Sequence, residues 1–478
     1  MALTLAFFLY FLILALIAWL SHKKMKDSTA FIVGNRSINF YLTALSAHAS
    51  DMSAWLFMAF PAALYVGGMP QIWTAFGLFM GMFLNWQLVA RRLRLATEAL
   101  QTNTLASYFE KSFGDETGVL RLVAAVAILV FMSCYLCAGL MAMGLLIESL
   151  FGFPYLVGTT LSAVAVMGYT FYGGFITVAW TDLFQALFLL AMLILVPFYA
   201  LSQMAGGWAS VIEAAAAQQI SLDPMPAEGS LLQLALLAMS WGLGYFGQPH
   251  IITKFMGIDH PQDMIKAKRL GMSWQAVALF MAALVGIVAI GFFEQPLANP
   301  ELVYIELVKQ LFSPFFGGIV LCAILAANIS TMDSQLLVSA SLLSEDLYGK
   351  LINAKASPKK LLLVSRLCIL IVMSFSLLIA MGRSSNVMST VFYAWTGLGC
   401  AFGPVVLFSL YDQKANYQGA LMGMVVGSLT AALWDLLYPL PGLFPLPAMV
   451  PAFGLSSLAI YTTSRLTGGR RLPAGEVS

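Results

Sequence analysis

Asp51 stands in the run ALSAHASDMSAW (Ala44 to Trp55), inside an apolar stretch from about Phe40 to Val66. A carboxylate at that depth costs at least ~2.5–3.5 kcal/mol unless something compensates it. A cation, a water-filled path or a local break in a helix would do so. Ser46, Ser50 and Ser53 surround the acid, and Gly67 and Gly68 lie just beyond. An acid among small hydroxyl residues in such a stretch has the chemistry of a cation-linked site. The structural alternative is a carboxylate satisfied by neighbouring backbone donors. His48, beside it, fits a packed neutral imidazole better than a proton relay.

A second polar run is AANISTMDSQLLVSASLLSEDLY (Ala326 to Tyr348). Ser330 and Thr331 offer neutral oxygens, backbone carbonyls near Ala327 can add more, and Asp333 is another acid in a membrane-length apolar span. Hard monovalent cations are held by several oxygens carrying little net charge, so this run is a natural partner for the one around Asp51. Helix packing through hydroxyls is the alternative, and two such runs, each with an acid, weigh against it. Glu345 and Asp346, beside Lys350, read as ordinary interface charges. A third run, WGLGYFGQPH (Trp241 to His250), contains G-x-G-x-x-G. No β-strand precedes it and no βαβ unit follows, so it is not a nucleotide fingerprint. Its glycines permit close helix approach or a break, and Pro249 removes a backbone donor. Trp241 and Tyr245, four apart, share one helix face, where they either wall a pocket or simply pack.

Further polar residues sit in apolar context. Asp182 ends GGFITVAWTD (Gly173 to Asp182) and is either a solvated helix-start acid or a group deeper on a cation path. Tyr135, in FMSCYLCAG, carries a hydroxyl that needs a partner. Arg36, in GNRS, is either a seal at an inner mouth or a topology charge. The C-x-x-C of Cys134 and Cys137 falls in a membrane-length helix and reads as packing. All five cysteines lie in apolar spans, so no disulfide framework is implied. No Walker A loop, zinc spacing or nucleophile elbow occurs. The chemistry on offer is binding and release, not catalysis.

The elements that must position these groups are membrane helices. The 478 residues are 60% hydrophobic and only 10% charged, which excludes a soluble domain and implies a lipid bilayer as solvent. Thirteen spans are expected, at about 3–20, 40–66, 71–89, 120–150, 154–172, 177–205, 231–253, 270–293, 314–343, 361–381, 387–410, 416–437 and 444–464. With the N-terminus outside and the C-terminus inside, all of the 24 Lys and Arg except Lys309 and Arg383 fall in inner segments. The basic cluster Lys23, Lys24, Lys26 follows the first span, so that span reads as a retained helix rather than a cleaved signal. The tail from Gly468 to Ser478 is short and polar and is expected to lack structure. The second and seventh spans are each interrupted by small or helix-breaking residues near a polar centre. Lying five spans apart, they are plausible equivalents in an inverted five-plus-five repeat, and unwound backbone there would offer free carbonyls and N–H groups.

Together, TALSAHASDMSAW, AVAILVFMSCYLCAG, GGFITVAWTD, MSWGLGYFGQPHI, ILAANISTMDSQLLVSASLLSEDLY and YAWTGLGCAFGPVVL resemble the sodium:solute symporter family, most of all its bacterial sodium/proline branch. The resemblance covers nearly the whole chain, in order. It implies an all-α polytopic membrane protein of thirteen helices, with a core of two inverted five-helix repeats broken at the midplane. A single transmembrane domain would divide into an extra helix and inner loop (1–39), the two repeats (40–205 and 206–411) and two further helices with a tail (412–478). The implied activity is import of L-proline together with sodium, across a bacterial inner membrane, with no nucleic-acid partner. A symporter for another small amino acid or carboxylate is the alternative, ahead of a proton-coupled carrier or a transporter-fold sensor. The implied sodium ligands are the carbonyls of Ala49, Met52 and Ala327 and the hydroxyls of Ser330 and Thr331, with Asp51, Asp182 and Asp333 in support. Solute contacts would come from Ser53, Ala54, Tyr135, Trp241, Tyr245 and Pro249. Two residues depart from the proline pattern. Ala54 replaces an expected glycine and narrows the pocket. Asp333 replaces a hydroxyl residue and would suit a second cation.

Overall fold

A computed structural model describes residues 2–22, 28–172, 174–225, 231–353, 355–382, 386–437 and 446–468. Lys23, Lys24, Lys26, Glu228, Arg383, Arg470, Arg471 and the polar tail from 469 lie outside the described residues. The architecture is all helical. In chain order the main helices are α1 (Ala2–His22), α2 (Phe40–Asp51), α3 (Ala59–Gly67), α4 (Ile72–Asn85), α5 (Val119–Phe151), α6 (Tyr155–Tyr172), α7 (Phe175–Gln203) and α8 (Leu231–Gly242). They continue as α9 (Pro249–Met256), α10 (Met264–Phe292), α11 (Pro314–Ser341), α12 (Pro358–Ala380), α13 (Val387–Tyr411), α14 (Tyr417–Leu437) and α15 (Met449–Thr467).

Among the described residues nine helices are long and apolar enough to cross a membrane. The expected spans outside those nine are the second, fifth, seventh and thirteenth. The second and seventh fall short because each is broken into two pieces, α2 with α3 and α8 with α9. The third runs further than its apolar residues suggest. Helix α4 continues through a π-helical turn (Trp86–Ala90) into Arg91–Ala99. That last stretch, expected as loop, is helical, and its Arg94 is buried: it donates to the Ile258 carbonyl (2.8 Å) and pairs with Glu98 one turn on (2.7 Å).

Helix α2 is the centre of the bundle and packs on α7, α9, α10 and α11. The packing of α4 on α8 depends on glycine. Helices α4 and α8 meet backbone to backbone, and a Cβ at Gly77 would fall 2.0 Å from the Ala238 carbonyl oxygen, one at Gly81 2.1 Å from that of Gly242. Small residues four apart are how membrane helices approach so closely. Gly77→Leu is therefore expected to drive α4 and α8 apart, at an overpacking cost of about 1–3 kcal/mol or more. Its measure is the yield of monodisperse protein relative to wild type; an undiminished yield would contradict the contact.

The two ends of the bundle differ. At one, loops lie across the helix ends: Met69 N–H donates to Ser221 O (2.9 Å), Trp73 Nε1 to Pro224 O (3.1 Å) and Leu297 N–H to the Tyr65 hydroxyl (3.3 Å). The Glu301 carboxylate accepts from the first N–H groups of α13, at Val387 (3.3 Å) and Met388 (3.1 Å). The other end carries the basic segments and a cavity lined by Thr104, Leu105, Phe175, Lys254, Ser334 and Ser341, among others. Arg36 is fixed there by the carbonyls of Thr97 and Thr102, both at 3.0 Å. Asp346, read from sequence as an interface charge, is in fact buried. It takes Arg121 (3.2 Å) and the Thr104 hydroxyl (3.0 Å) because α11 continues as a π-helical segment (Leu342–Ile352) that turns it inward.

Candidate cation and solute site

The site begins where α2 stops. Ser53 N–H turns back to the Asp51 carbonyl (3.1 Å), so the helical bond it would make to Ala49 O is not formed. Helix α11 covers that released carbonyl. Ser330 Oγ lies 2.9 Å from Ala49 O and 3.0 Å from both Ala326 O and Ala327 O, and Thr331 Oγ1 lies 3.1 Å from Ala327 O and 3.4 Å from Ala49 O. Each hydroxyl has one proton to donate, so oxygen lone pairs outnumber protons here. A neutral, fully buried, oxygen-rich cluster is suited to a hard monovalent cation. Met52 is buried at the break itself, its N–H donating to His48 O (3.1 Å).

Asp51 faces the second break. Its carboxylate accepts the Tyr245 hydroxyl, and Gln275 Nε2 donates to the same hydroxyl (3.0 Å). Its carbonyl accepts Trp55 Nε1 (3.1 Å). Asp51 Oδ1 is buried with no hydrogen-bond partner among the described residues. Thus Asp51 adjoins the oxygen cluster along the chain while its side chain reaches the other broken span. Between α8 and α9 the backbone forms a short 3-10 turn (Leu243–Gly247), because Gln248 is extended and Pro249 starts a new helix. Gln248 Nε2 pins the break by donating to Gly244 O (3.2 Å) and Trp395 O (3.0 Å).

Aromatic rings surround this junction. Trp241 stacks on Trp55 (6.1 Å between centroids) and meets Phe392 (5.0 Å) and Trp395 (6.4 Å). Trp395 stands edge-on to Tyr245 (5.0 Å) and donates its Nε1–H to Trp241 O (2.9 Å). Tyr135 on α5 meets the His250 ring edge-on (5.6 Å). Ser53, Ala54, Tyr135, Trp241, Tyr245 and Pro249 are all buried. Trp241 and Tyr245 line one junction together with Trp55, Phe392 and Trp395. Sequence reading did not single out these last three, nor Gln275. They lie far apart in the chain, and isolated aromatics in apolar helices carry no local signal.

The other acids sit elsewhere. Asp182 is not a solvated helix-start group. It is fully buried, accepts from Ser46 (2.5 Å) and Ser50 (3.5 Å), and pairs with Lys254 at 3.0 Å. Ser50 also meets Ser334 (2.8 Å), one turn beyond Ser330 on α11. Asp333 accepts from Thr170 on α6 (2.5 Å) and so faces away from the Ala49 carbonyl. His48 is packed, accepting from Trp86 Nε1 (3.2 Å) and stacked on that ring. Cys134 and Cys137 are free thiols. Lys254, counted from sequence only among the basic residues of an inner segment, is 2% exposed and reaches inward because it lies on α9, the helix that restarts after the second break.

Two membrane helices broken where they meet, with an oxygen cluster and an aromatic junction at the breaks, define a multi-pass membrane transporter, not an enzyme. The chain belongs to the sodium:solute symporter family, whose profile matches residues 31–427. It is thus a sodium-coupled solute symporter. Among its relatives, the sodium/proline symporter of Haemophilus influenzae is 40% identical over 474 residues, covering 96% of this chain and 94% of that one. The sodium/proline symporter of Escherichia coli K12 is 39% identical over 464 residues (95% and 90%). The high-affinity proline transporter PutP of Bacillus subtilis is 38% identical over 462 residues (95% of each). The fold is shared with a Na+-coupled sialic acid symporter in a substrate-bound outward-open state, with a TM-score of 0.84 at 18% identity, covering 99% of both chains. It is shared more distantly with MhsT in complex with L-phenylalanine, with a TM-score of 0.56 at 14% identity, covering 90% of this chain and 98% of that one.

Proposed function

We propose that this protein imports L-proline together with sodium by alternating access. The observation that carries this reading is the Ala49–Ala327–Ser330–Thr331 oxygen cluster, joined through the α2 break to the aromatic junction of Trp241 and Tyr245. Full-length relatives that are proline transporters support the choice of solute. In this reading sodium is held by the carbonyls of Ala49, Met52 and Ala327 and by Ser330 and Thr331, with Asp51 supplying negative charge. The pyrrolidine ring packs against Trp241 and Tyr245, near Tyr135 and Pro249. Its carboxylate faces the backbone freed around Ser53 and Ala54, where unwound N–H groups suit an anion. The Ala54 methyl limits the pocket to a small solute.

The architecture proposed with it is thirteen crossings, residues 40–205 and 206–411 forming inverted repeats, with the N-terminus outside. The cavity beside Lys254 then opens inward, and the end closed by the Glu301 and Ser221 contacts faces outward. Labelled L-proline uptake into proteoliposomes tests the function. Accumulation driven by an inward sodium gradient is expected. Accumulation driven by a pH gradient without sodium would replace the driving ion. Sodium-driven uptake of other small amino or carboxylic acids, with proline failing to compete, would replace the solute.

A further inference from the structure

Of the ion pairs found among the described residues, Lys254–Asp182 is the most deeply buried, with side chains 2% and 0% exposed. It joins the second broken span to α7, and its surroundings are those of a cation site. The Asp182 carboxylate is approached by the hydroxyls of Ser46 (2.5 Å) and Ser50 (3.5 Å), and Ser50 touches Ser334 (2.8 Å). Asp182 Oδ1 has no hydrogen-bond partner among the described residues. This layer lies directly below the Ala49–Ser330 cluster: Ser50 follows Ala49, and Ser334 is one turn from Ser330. The Lys254 ammonium lies 5.3 Å from the centroid of the Phe175 ring, and both residues line the cavity with Ser334.

Resting on the sodium-symport reading above, we propose that the Lys254 ammonium is a built-in cation. It occupies the place beside Asp182 that a second sodium ion would otherwise take, and so sets the coupling at one sodium per solute. A carboxylate sealed from water stays ionised only where a positive charge stands beside it, and otherwise takes up a proton. A tethered ammonium supplies that charge permanently at 3.0 Å. A second mobile cation in the same cradle would meet a like charge at close range in a low-dielectric layer. Lys254 therefore acts through Asp182 and touches neither solute nor transported ion. Replacing it with a neutral side chain leaves Asp182, Ser46, Ser50 and Ser334 with the oxygens and the single negative charge that a hard monovalent cation needs. Asp333 does not share this cradle: its Oδ1 accepts from Thr170 on α6, away from Ser46 and Ser50.

The test is sodium binding to purified full-length protein, measured with labelled sodium in the absence of solute, together with the sodium-to-proline flux ratio in proteoliposomes. The wild type is expected to bind one sodium ion. Lys254→Gln and Lys254→Met are expected to bind two and to double the flux ratio. Lys254→Arg is expected to stay at one, and adding Asp182→Asn to Lys254→Gln is expected to return it to one. A merely structural lysine would lower yield or rate without moving these ratios. Two ions on the wild type, or a flux ratio unchanged in a folded Lys254→Gln or Lys254→Met, would overturn the proposal. Should neither neutral variant be recovered, the wild-type count and its independence of Asp333→Asn decide it. No sodium bound by the wild type would instead overturn the sodium-site reading on which the proposal rests.

Discussion

Asp51→Asn is expected to raise the sodium concentration needed for half-maximal uptake by about 100-fold. A unit charge about 5 Å from a bound cation contributes about 3 kcal/mol at an effective dielectric near 20, and each 1.4 kcal/mol is a factor of ten. The carboxylate is fully buried, so little water screens it. Asparagine keeps the size and still accepts the Tyr245 hydroxyl, which separates the loss of charge from the loss of the contact between the two broken spans. Ser330→Ala should move the same quantity less, because it removes one neutral oxygen of several. Sodium titration of initial uptake rates measures both. If both variants keep the wild-type sodium requirement, the cluster at Ala49 is not the cation site.

Trp241→Ala is expected to raise the half-saturating proline concentration by about 10- to 100-fold. Burying one large apolar side chain contributes roughly 1.5–3 kcal/mol, and Trp241 is the ring from which contacts reach Trp55, Phe392 and Trp395. Sodium binding measured without solute should stay near the wild-type value, because no atom of the Ala49–Ser330 cluster belongs to α8. Coupling is reciprocal, so sodium must still tighten proline binding by the factor by which proline tightens sodium binding. Lost packing is the competing explanation, since large-to-small changes of Trp cost about 3–5 kcal/mol in a core. Trp241→Phe separates the two: it fills most of the space and should give an intermediate solute affinity with normal yield. An unaltered proline half-saturation in a folded Trp241→Ala would remove this residue from the pocket.

The sequence by itself determined that this is a polytopic helical membrane protein, where its helices run and where two of them break. Apolar length marks each span, and the small and polar cluster around Ser50–Ser53 and the glycines and proline of Gly242–Pro249 mark the breaks locally. It also pointed to Ser330 and Thr331, because a dense hydroxyl run in an apolar helix is visible without a fold. What only the tertiary structure decided is which polar group answers which. Asp51 turns to Tyr245 across the two breaks, Asp182 finds Lys254, Asp333 takes Thr170, and Asp346 is drawn inward to Arg121. Each of these pairs joins residues far apart in the chain, so no spacing rule reveals them. Each is fixed instead by the demand that a charge or hydroxyl sealed from water find a partner among whatever helices pack beside it.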